Sequence, residues 1–577
     1  MEHMRQQLKN VKRPISSYVI KDFKLYRIVQ FILHEGWPLM AILLALTAEI
    51  AHFVSSGWQQ LFLYNSDSLT LPLLRQSIVH REAFHWVFSS QIFLFPEVIL
   101  YALSSVLTSS IRASLIMNAY LNMAILYVLF RMVINKLSKQ RAVIQRLLSV
   151  GIIGLIIIEM YLERQPLDYS IATYYLFNTY YSGVIMSGLA VVLLLLVQLK
   201  QMFFSTSKLR QAVPMLVVMG VAALTTLSDP LFLLQVLLPL SGTILLLLLI
   251  NQLSARRAIA LLGPLLAGSV IGYEARFFFR DYIGISVGSY IQYNLIPQTI
   301  TGFRSAFDTV LHLLSGRLEI CVMCLTISGS LIGSLYLIHA ATKATRTIGY
   351  RSVSHLLVTT FGWLSVALLV PVIILSGGQI RYLIPLAIFP LLGVVPLFEH
   401  RLITDIAPRL RIVGFVAIAL LVILSCGRIE QVNALLGSSV NGLSCLQAAL
   451  HNKPANGLGD YWLARDLDVY GSNHEAVLDL NNNLSIYSWL DNLGSYEHKQ
   501  FSFILVNAAP VDTMAIVPKD VRILGQPTSV TSCVNDGYYV YQYSSGAAGY
   551  RKLNAIIQQS LSHELALQRK DDIAASF

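Results

Sequence analysis

Charge is scarce in this chain. Asp, Glu, Lys and Arg make up 13% of its 577 residues, about half the share of an ordinary soluble domain. Hydrophobic residues make up 55%, and the mean hydropathy is +0.62. Long apolar runs recur, so the composition excludes a solvated globular protein and describes a polytopic membrane protein. Cysteine is scarce too: five residues do not make a disulfide scaffold. Cys321 and Cys324 form one CxxC inside an apolar run. A structural zinc site takes four ligands, and none is spaced nearby, so helix packing accounts for the pair. The first 30 residues are polar and basic, and the apolar segment after them is long enough to stay as an anchor; no cleavable leader is expected. No internal repeat is visible. The net charge of +11 comes from short basic clusters between apolar runs, which argues against a nucleic-acid patch and for the positive-inside rule.

The apolar runs set the layout. Residues 1–35, with Arg5, Lys9, Lys12 and Arg13, read as a cytoplasmic lead, and 36–426 as the transmembrane domain. Runs near 37–57, 113–134, 146–162, 180–199, 211–228, 231–250, 257–273, 318–339, 354–375, 382–398 and 410–426 predict about 11 helices that span a bilayer. Glu49 and His52 in the first of them are expected to face inward. Basic residues such as Lys136, Lys200, Arg256, Lys343 and Arg401 fall in alternate loops. This predicts a multi-pass protein of the plasma (inner) membrane, with its N-terminus cytoplasmic and its C-terminus outside. The first outer loop is 58–112, and a second long one is 274–317. The apolar end of the first loop, 98–112, is short and follows Pro96-Glu97, so it is expected to lie in the interface rather than to cross. From 427 the pattern changes. HEAVLDL, QFSFILVN, VRILG and YYVYQYS read as strands and LGDYWLARDL as a helix, so 427–550 predicts a small extracytoplasmic α/β domain. Cys445 and Cys533 lie within it and can pair in an oxidising compartment. Residues 551–577 predict a helical tail on the surface.

The chemistry is expected where this topology gathers polar groups on the outer side. Asp67 stands among Ser66, Ser68 and Thr70 before Pro72. It reads either as a helix N-cap or as a carboxylate that takes a proton from an acceptor hydroxyl. Arg81 and His85 are four apart, which on a helix places them on one face, suited to phosphate or sugar. Glu82, Glu97 and Asp229 are candidates for a second acid. Arg381 and Tyr382 open a late run, where a guanidinium fork suits phosphate oxygens and where snorkelling is the plainer account. Tyr174, Tyr175, Tyr180, Tyr181 and Phe277–Phe279 suit sugar stacking or an aromatic belt.

On the strings YNSDSLTLPLL, FSSQIFLFPE, LTTLSDPLF, TYYSGV and CLQAALHNKPANGLGDYWLAR, and on this layout over about the first 430 residues, the chain resembles the GT-C superfamily of polytopic glycosyltransferases. The same strings are similar to those of bacterial, actinobacterial membrane proteins. The resemblance implies a GT-C-like fold, outer loops that form the active site, and an acidic residue near the start of the first outer loop, here Asp67. It implies inverting transfer of a sugar from a polyprenyl-phosphate donor to a cell-envelope glycan or lipid acceptor. The phosphate would be held by Arg381 and Tyr382 with Arg81 or His85. Phosphate is a good leaving group, so no cofactor is required, and a divalent metal stays open. Two departures stand out. Ser68 follows Asp67 where many members have a second acid, and the WWDYG-like motif of oligosaccharyltransferases is absent. The rival expectations are a non-catalytic envelope scaffold and a transporter of lipid-linked substrates; for the latter, inverted repeats and broken helices are not visible.

Overall fold

The computed structural model describes the chain apart from 1–16, 164, 167–169, 206, 285–295, 298–299, 302–317, 344–348, 376–379, 397–422, 424, 426, 439–442, 452–454, 472–474, 510–512 and 575–577. The last predicted span at 410–426 and most of the loop 274–317 therefore lie outside the described residues.

The membrane part is a helical bundle. Its first helix is α1 (Ser17–Phe53), and Glu49 of that helix is fully buried, facing inward as expected. The first loop holds α2 (Thr70–Val79), the short strand β1 (Trp86–Val87) and α3 (Ile99–Leu107). Then come α4 (Ile111–Leu137), α5 (Ala142–Leu162), α6 (Ser182–Phe204), α7 (Lys208–Ser228), α8 (Leu238–Leu249), α9 (Ala255–Ala275), α10 (Leu318–Lys343), α11 (Tyr350–Leu375) and α12 (Ile384–Val394). Side-chain caps start some of them: Ser110 accepts from the Ala113 amide and Ser207 from that of Arg210. Where α7 and α9 cross, Gly268 and Gly272 lie so close to α7 that a Cβ on either would meet a backbone oxygen, of Met219 or Ala223, at 2.2 Å. This is the close approach that small residues four apart permit between membrane helices.

Eight helices among the described residues are long and apolar enough to cross a membrane. All eight coincide with predicted spans; of the other three, two do not appear as such among the described residues, and 410–426 lies outside them. The run 231–250 forms a 17-residue helix, Leu233–Leu249, which rises about 26 Å against a hydrocarbon core of about 30 Å. It stops at Asn251, whose φ is +57°. The run 382–398 forms only α12, of 11 residues, and the third run is 410–426. The loop end forms a shorter apolar helix, Leu94–Leu107, whose α-helical part is the nine residues of α3. Cys321 and Cys324, partly buried in α10, form no disulfide.

The C-terminal region opens with α13 (Ile429–Gly437) and α14 (Leu443–Ala449). It continues with β2 (Ala455–Asp460), α15 (Tyr461–Tyr470), β3 (Glu475–Leu480), the short β4 (Asp491–Asn492), β5 (Phe501–Asn507), β6 (Ser529–Cys533), β7 (Tyr538–Gln542) and α16 (Ala548–Ala574). The main sheet has the order β3-β2-β5-β7-β6. β2 pairs parallel with β3 and β5, and β7 antiparallel with β5 and β6. A parallel pair needs a crossover, and α15 supplies it, its first turn capped by Asp460, which accepts from the amides of Trp462 and Leu463. Cys445 and Cys533 form a disulfide that ties α14 to β6.

One expectation for this region needs correction. VRILG is not a strand but a 3-10 turn, Asp520–Leu524, closed by the Asp520 carboxylate on the Val517 amide and by Gly525 at φ +82°. The strands β2 and β6, rich in Gly, Asn and Ser, were not anticipated. The tail is a helix with an exposed face, as expected, and its other face is packed. Leu553, Ile557 and Leu561 are buried at four-residue spacing and share a core with Phe501, Ile504 and Val506 of β5. The opposite residues of that strand, Phe503 and Leu505, join Ala464 and Leu467 of α15 in the core that continues into the bundle. Side chains alternate from Phe503 to Val506, after a bulge that follows Phe501, so one strand feeds both layers.

Candidate functional site

The first loop and the C-terminal domain are built into each other. β1 pairs antiparallel with β4, Trp86 opposite Asn492. Ser66 donates its hydroxyl to the Tyr461 carbonyl at 2.6 Å, and Tyr470 donates to the Leu63 carbonyl at 2.7 Å. At the centre lies Arg465, fully buried. It bonds Asp479 at 2.8 Å and donates to the carbonyls of Ser66, Trp489 and Leu490 and to Thr70 Oγ1. Burial alone would lower its pKa. Asp479, then Tyr461 and Asp491, outweigh burial and raise it. Burial pushes the carboxyls of Asp479 and Asp491 up, with Arg465 pulling against it. One guanidinium thus answers two buried acids, and Tyr496 donates to Asp491 or to the Asp479 carbonyl.

Asp67 sits at the edge of this network and is half-buried. The Tyr461 hydroxyl donates to its Oδ1 at 2.6 Å, and the Thr179 hydroxyl donates to its backbone carbonyl at 3.0 Å. Asp67 is not the N-cap of α2. The cap position is Leu69, whose side chain has no acceptor, and the Asp67 carboxylate is turned to Tyr461.

Arg81 and His85 do not share a helical face. α2 ends at Val79, Arg81 takes a left-handed φ of +55°, and the chain then runs extended into β1. His85 faces Glu497 at 3.7 Å, and its amide donates to Asn492 Oδ1. Glu82 accepts from Ser495 at 2.8 Å and Asn492 at 3.3 Å. Both residues therefore clamp the domain.

Glu97 and Asp229 do come together: the Asp229 charge adds to the burial that raises the Glu97 carboxyl. Both are buried. Glu97 Oε1 accepts the Gly183 amide at 3.2 Å, and Asp229 Oδ1 accepts that of Leu231 at 2.9 Å. Gly183 is required by proximity: a Cβ there would meet Glu97 Oε1 at 2.2 Å. Burial pushes the Asp229 carboxyl up to about 7, opposed by the Leu231 amide, Arg276 and Gln91. Arg276, buried itself, donates to the carbonyls of Leu227 and Ser90. An arginine at the end of an apolar run was the sequence signal for it. Nothing local pointed to Tyr461 or Arg465.

The segment Thr179–Gly183 links the two acid groups. Thr179 holds Asp67 and Gly183 holds Glu97. Four residues reach about 14 Å at most, so both groups belong to one end of the bundle. Between them Tyr181, at φ +64°, packs its ring 5.3 Å from that of Tyr382. The Tyr382 carbonyl accepts from Gln235 at 3.0 Å. The Arg381 side chain lies outside the described residues. Tyr174 and Tyr180 are packed with Trp58 and Phe177, a core role rather than an open stacking platform. Among the described residues, no group of three or more His, Cys, Asp or Glu is arranged to hold a metal.

One acid in the domain gives a clean pH test. Asp466 is buried with Oδ1 unbonded, and burial pushes its carboxyl up to about 8 from an ordinary 3.8. The folded state then binds more protons than the unfolded one between these values, so stability falls as pH rises from about 4 to about 8. Asp466→Asn is expected to raise the domain's Tm by several degrees at pH 8 and to match wild type below pH 4, read by thermal unfolding of the detergent-solubilised protein.

Fold and site together define a helical membrane protein whose first loop is clamped by a C-terminal α/β domain. No family model and no curated protein matches the chain. Among solved structures it is similar to the crystal structure of the Archaeoglobus fulgidus oligosaccharyltransferase in complex with Zn and sulfate, with TM-score 0.41 and 10% identity over 80% of this chain and 67% of that one. For the apo form of the same protein the values are 0.40 and 9%, over 82% and 70%. A likeness of this size says nothing of a bacterial source.

Proposed function

We propose that the chain is a membrane glycosyltransferase of the GT-C type that moves a sugar from a polyprenyl-phosphate donor to a glycan or lipid acceptor of the cell envelope. The observation that carries this is Asp67: a half-buried carboxylate at the seam of loop and domain, oriented through Oδ1 by a buried tyrosine. In this role Oδ2 takes the proton of the acceptor hydroxyl. Arg381 holds the donor phosphate and stabilises the charge that develops as it leaves. Its neighbour Tyr382 packs on Tyr181, within the same segment that holds Asp67, which supports that assignment. For the second acid we favour Glu97 with Asp229 over Glu82, which the domain engages. The scaffold alternative draws on the same Tyr461–Asp67 bond, since a hydroxyl that satisfies a carboxylate also fastens two parts of a chain.

Native mass spectrometry of the detergent-purified protein tests the donor. Wild type is expected to retain a polyprenyl phosphate and Arg381→Ala to lose it. Absence of the carrier from both would favour the scaffold.

A further inference from the structure

Among the described residues, two arginines near the seam have no acidic partner. Arg112 lies in the first turn of α4. Its guanidinium carbon is 4.5 Å from the ring centre of Tyr470 and 5.8 Å from that of Tyr64, and its Nε is buried without a hydrogen-bond partner. Arg75, exposed on α2, acts electrostatically on the Tyr101 hydroxyl, and Tyr101 and Arg112 both act on Tyr470. Among the described residues neither arginine forms an ion pair. The acid that acts on Tyr470 is Asp466. Burial pushes that carboxyl up, which weakens it as a counter-charge to Arg112.

Beside them lies α3. Tyr101, Ser104 and Ser105 are its buried face, while Ile99, Leu103, Val106 and Leu107 are exposed, Val106 by 82%. That spacing is one helical stripe. Thr108 and Ser114 bond side chain to side chain at 2.8 Å, which holds the end of α3 against the start of α4 and so against Arg112. An apolar stripe on a short helix, next to cations at its end, is the pattern of a helix lying in the membrane interface, its stripe among acyl chains and its cations at headgroup depth.

We propose that Arg112 and Arg75, framed by Tyr64, Tyr101 and Tyr470, seat the phosphate of an anionic membrane lipid whose acyl chains run along the exposed stripe of α3. The guanidinium fork matches phosphate oxygens, the N-terminus of α4 adds its positive end, and the apolar stripe selects a lipid over a soluble anion. This site is independent of the transfer chemistry proposed for Asp67.

The test uses the full chain, delipidated in detergent and titrated with phosphatidylglycerol, phosphatidylcholine or sodium phosphate, with bound lipid counted by native mass spectrometry. Phosphatidylglycerol is expected to bind in preference to phosphatidylcholine, and equimolar phosphate is expected not to displace it. Arg75→Gln and Arg112→Gln are each expected to weaken that binding on the order of fivefold. Arg75 is exposed and unpaired, so its variant leaves the fold intact and keeps the test open should loss of Arg112 disturb Tyr470. Equal binding of the two lipids, or unchanged affinity in Arg75→Gln, would overturn the proposal. Displacement by phosphate would assign the arginines to a soluble anion instead.

Discussion

Asp67→Asn is expected to abolish the proposed sugar transfer and to leave the protein folded. The expected loss is on the order of 100-fold to 10,000-fold, the usual contribution of a positioned base. Folding survives because the Asn side-chain carbonyl still accepts from Tyr461, and the backbone carbonyl still accepts from Thr179. What the substitution removes is the basic oxygen. The measurement is single-turnover transfer from a polyprenyl-phosphate sugar to an envelope acceptor, with thermal unfolding alongside. Loss of activity at unchanged Tm supports the base. Retained activity at unchanged Tm removes Asp67 from the chemistry and leaves it a fastening between loop and domain.

Arg465→Met is expected to have the largest effect on stability. Arg465 is the hub of the seam: one side chain reaches Asp479, the carbonyls of Ser66, Trp489 and Leu490, and the Thr70 hydroxyl. Its removal strands a buried carboxylate, which costs about 3–5 kcal/mol. The first loop should then loosen from the domain and become cleavable by protease between Tyr64 and Trp86, well before the bundle unfolds. The double variant Arg465→Met/Asp479→Leu is expected to recover a large part of the loss, since replacing a whole buried pair by apolar groups is often neutral. Asp491 keeps its bond from Tyr496 there. A double variant no better than the single one would show that the backbone carbonyls, not the ion pair, carry Arg465's contribution.

The long apolar runs were legible residue by residue. A bilayer-spanning helix satisfies its own backbone and needs only length and composition, and eight predicted spans recur as long helices. The strands β3, β5 and β7 were legible from alternation. β2 and β6 were not, because Gly, Asn and Ser are poor strand formers and sit there by pairing with neighbours. The tail was legible as a helix. Its burial against the sheet was not, since a stripe of Leu553, Ile557 and Leu561 does not say what covers it.

The candidate site divides in the same way. By itself the sequence determined that Asp67, Glu97, Asp229 and Tyr382 stand at the edges of apolar runs, where a charge or a polar ring has few places to go. Only the tertiary structure decided their partners. Asp67 meets Tyr461 across 394 residues, Glu97 meets Gly183 across 86, and Glu82 and His85 leave the site for the domain because α2 ends at Val79. Apolar periodicity is a local property, set by contact with lipid or core. A hydrogen bond between distant residues leaves no period in either stretch, so the chain must fold before such a partner can be named.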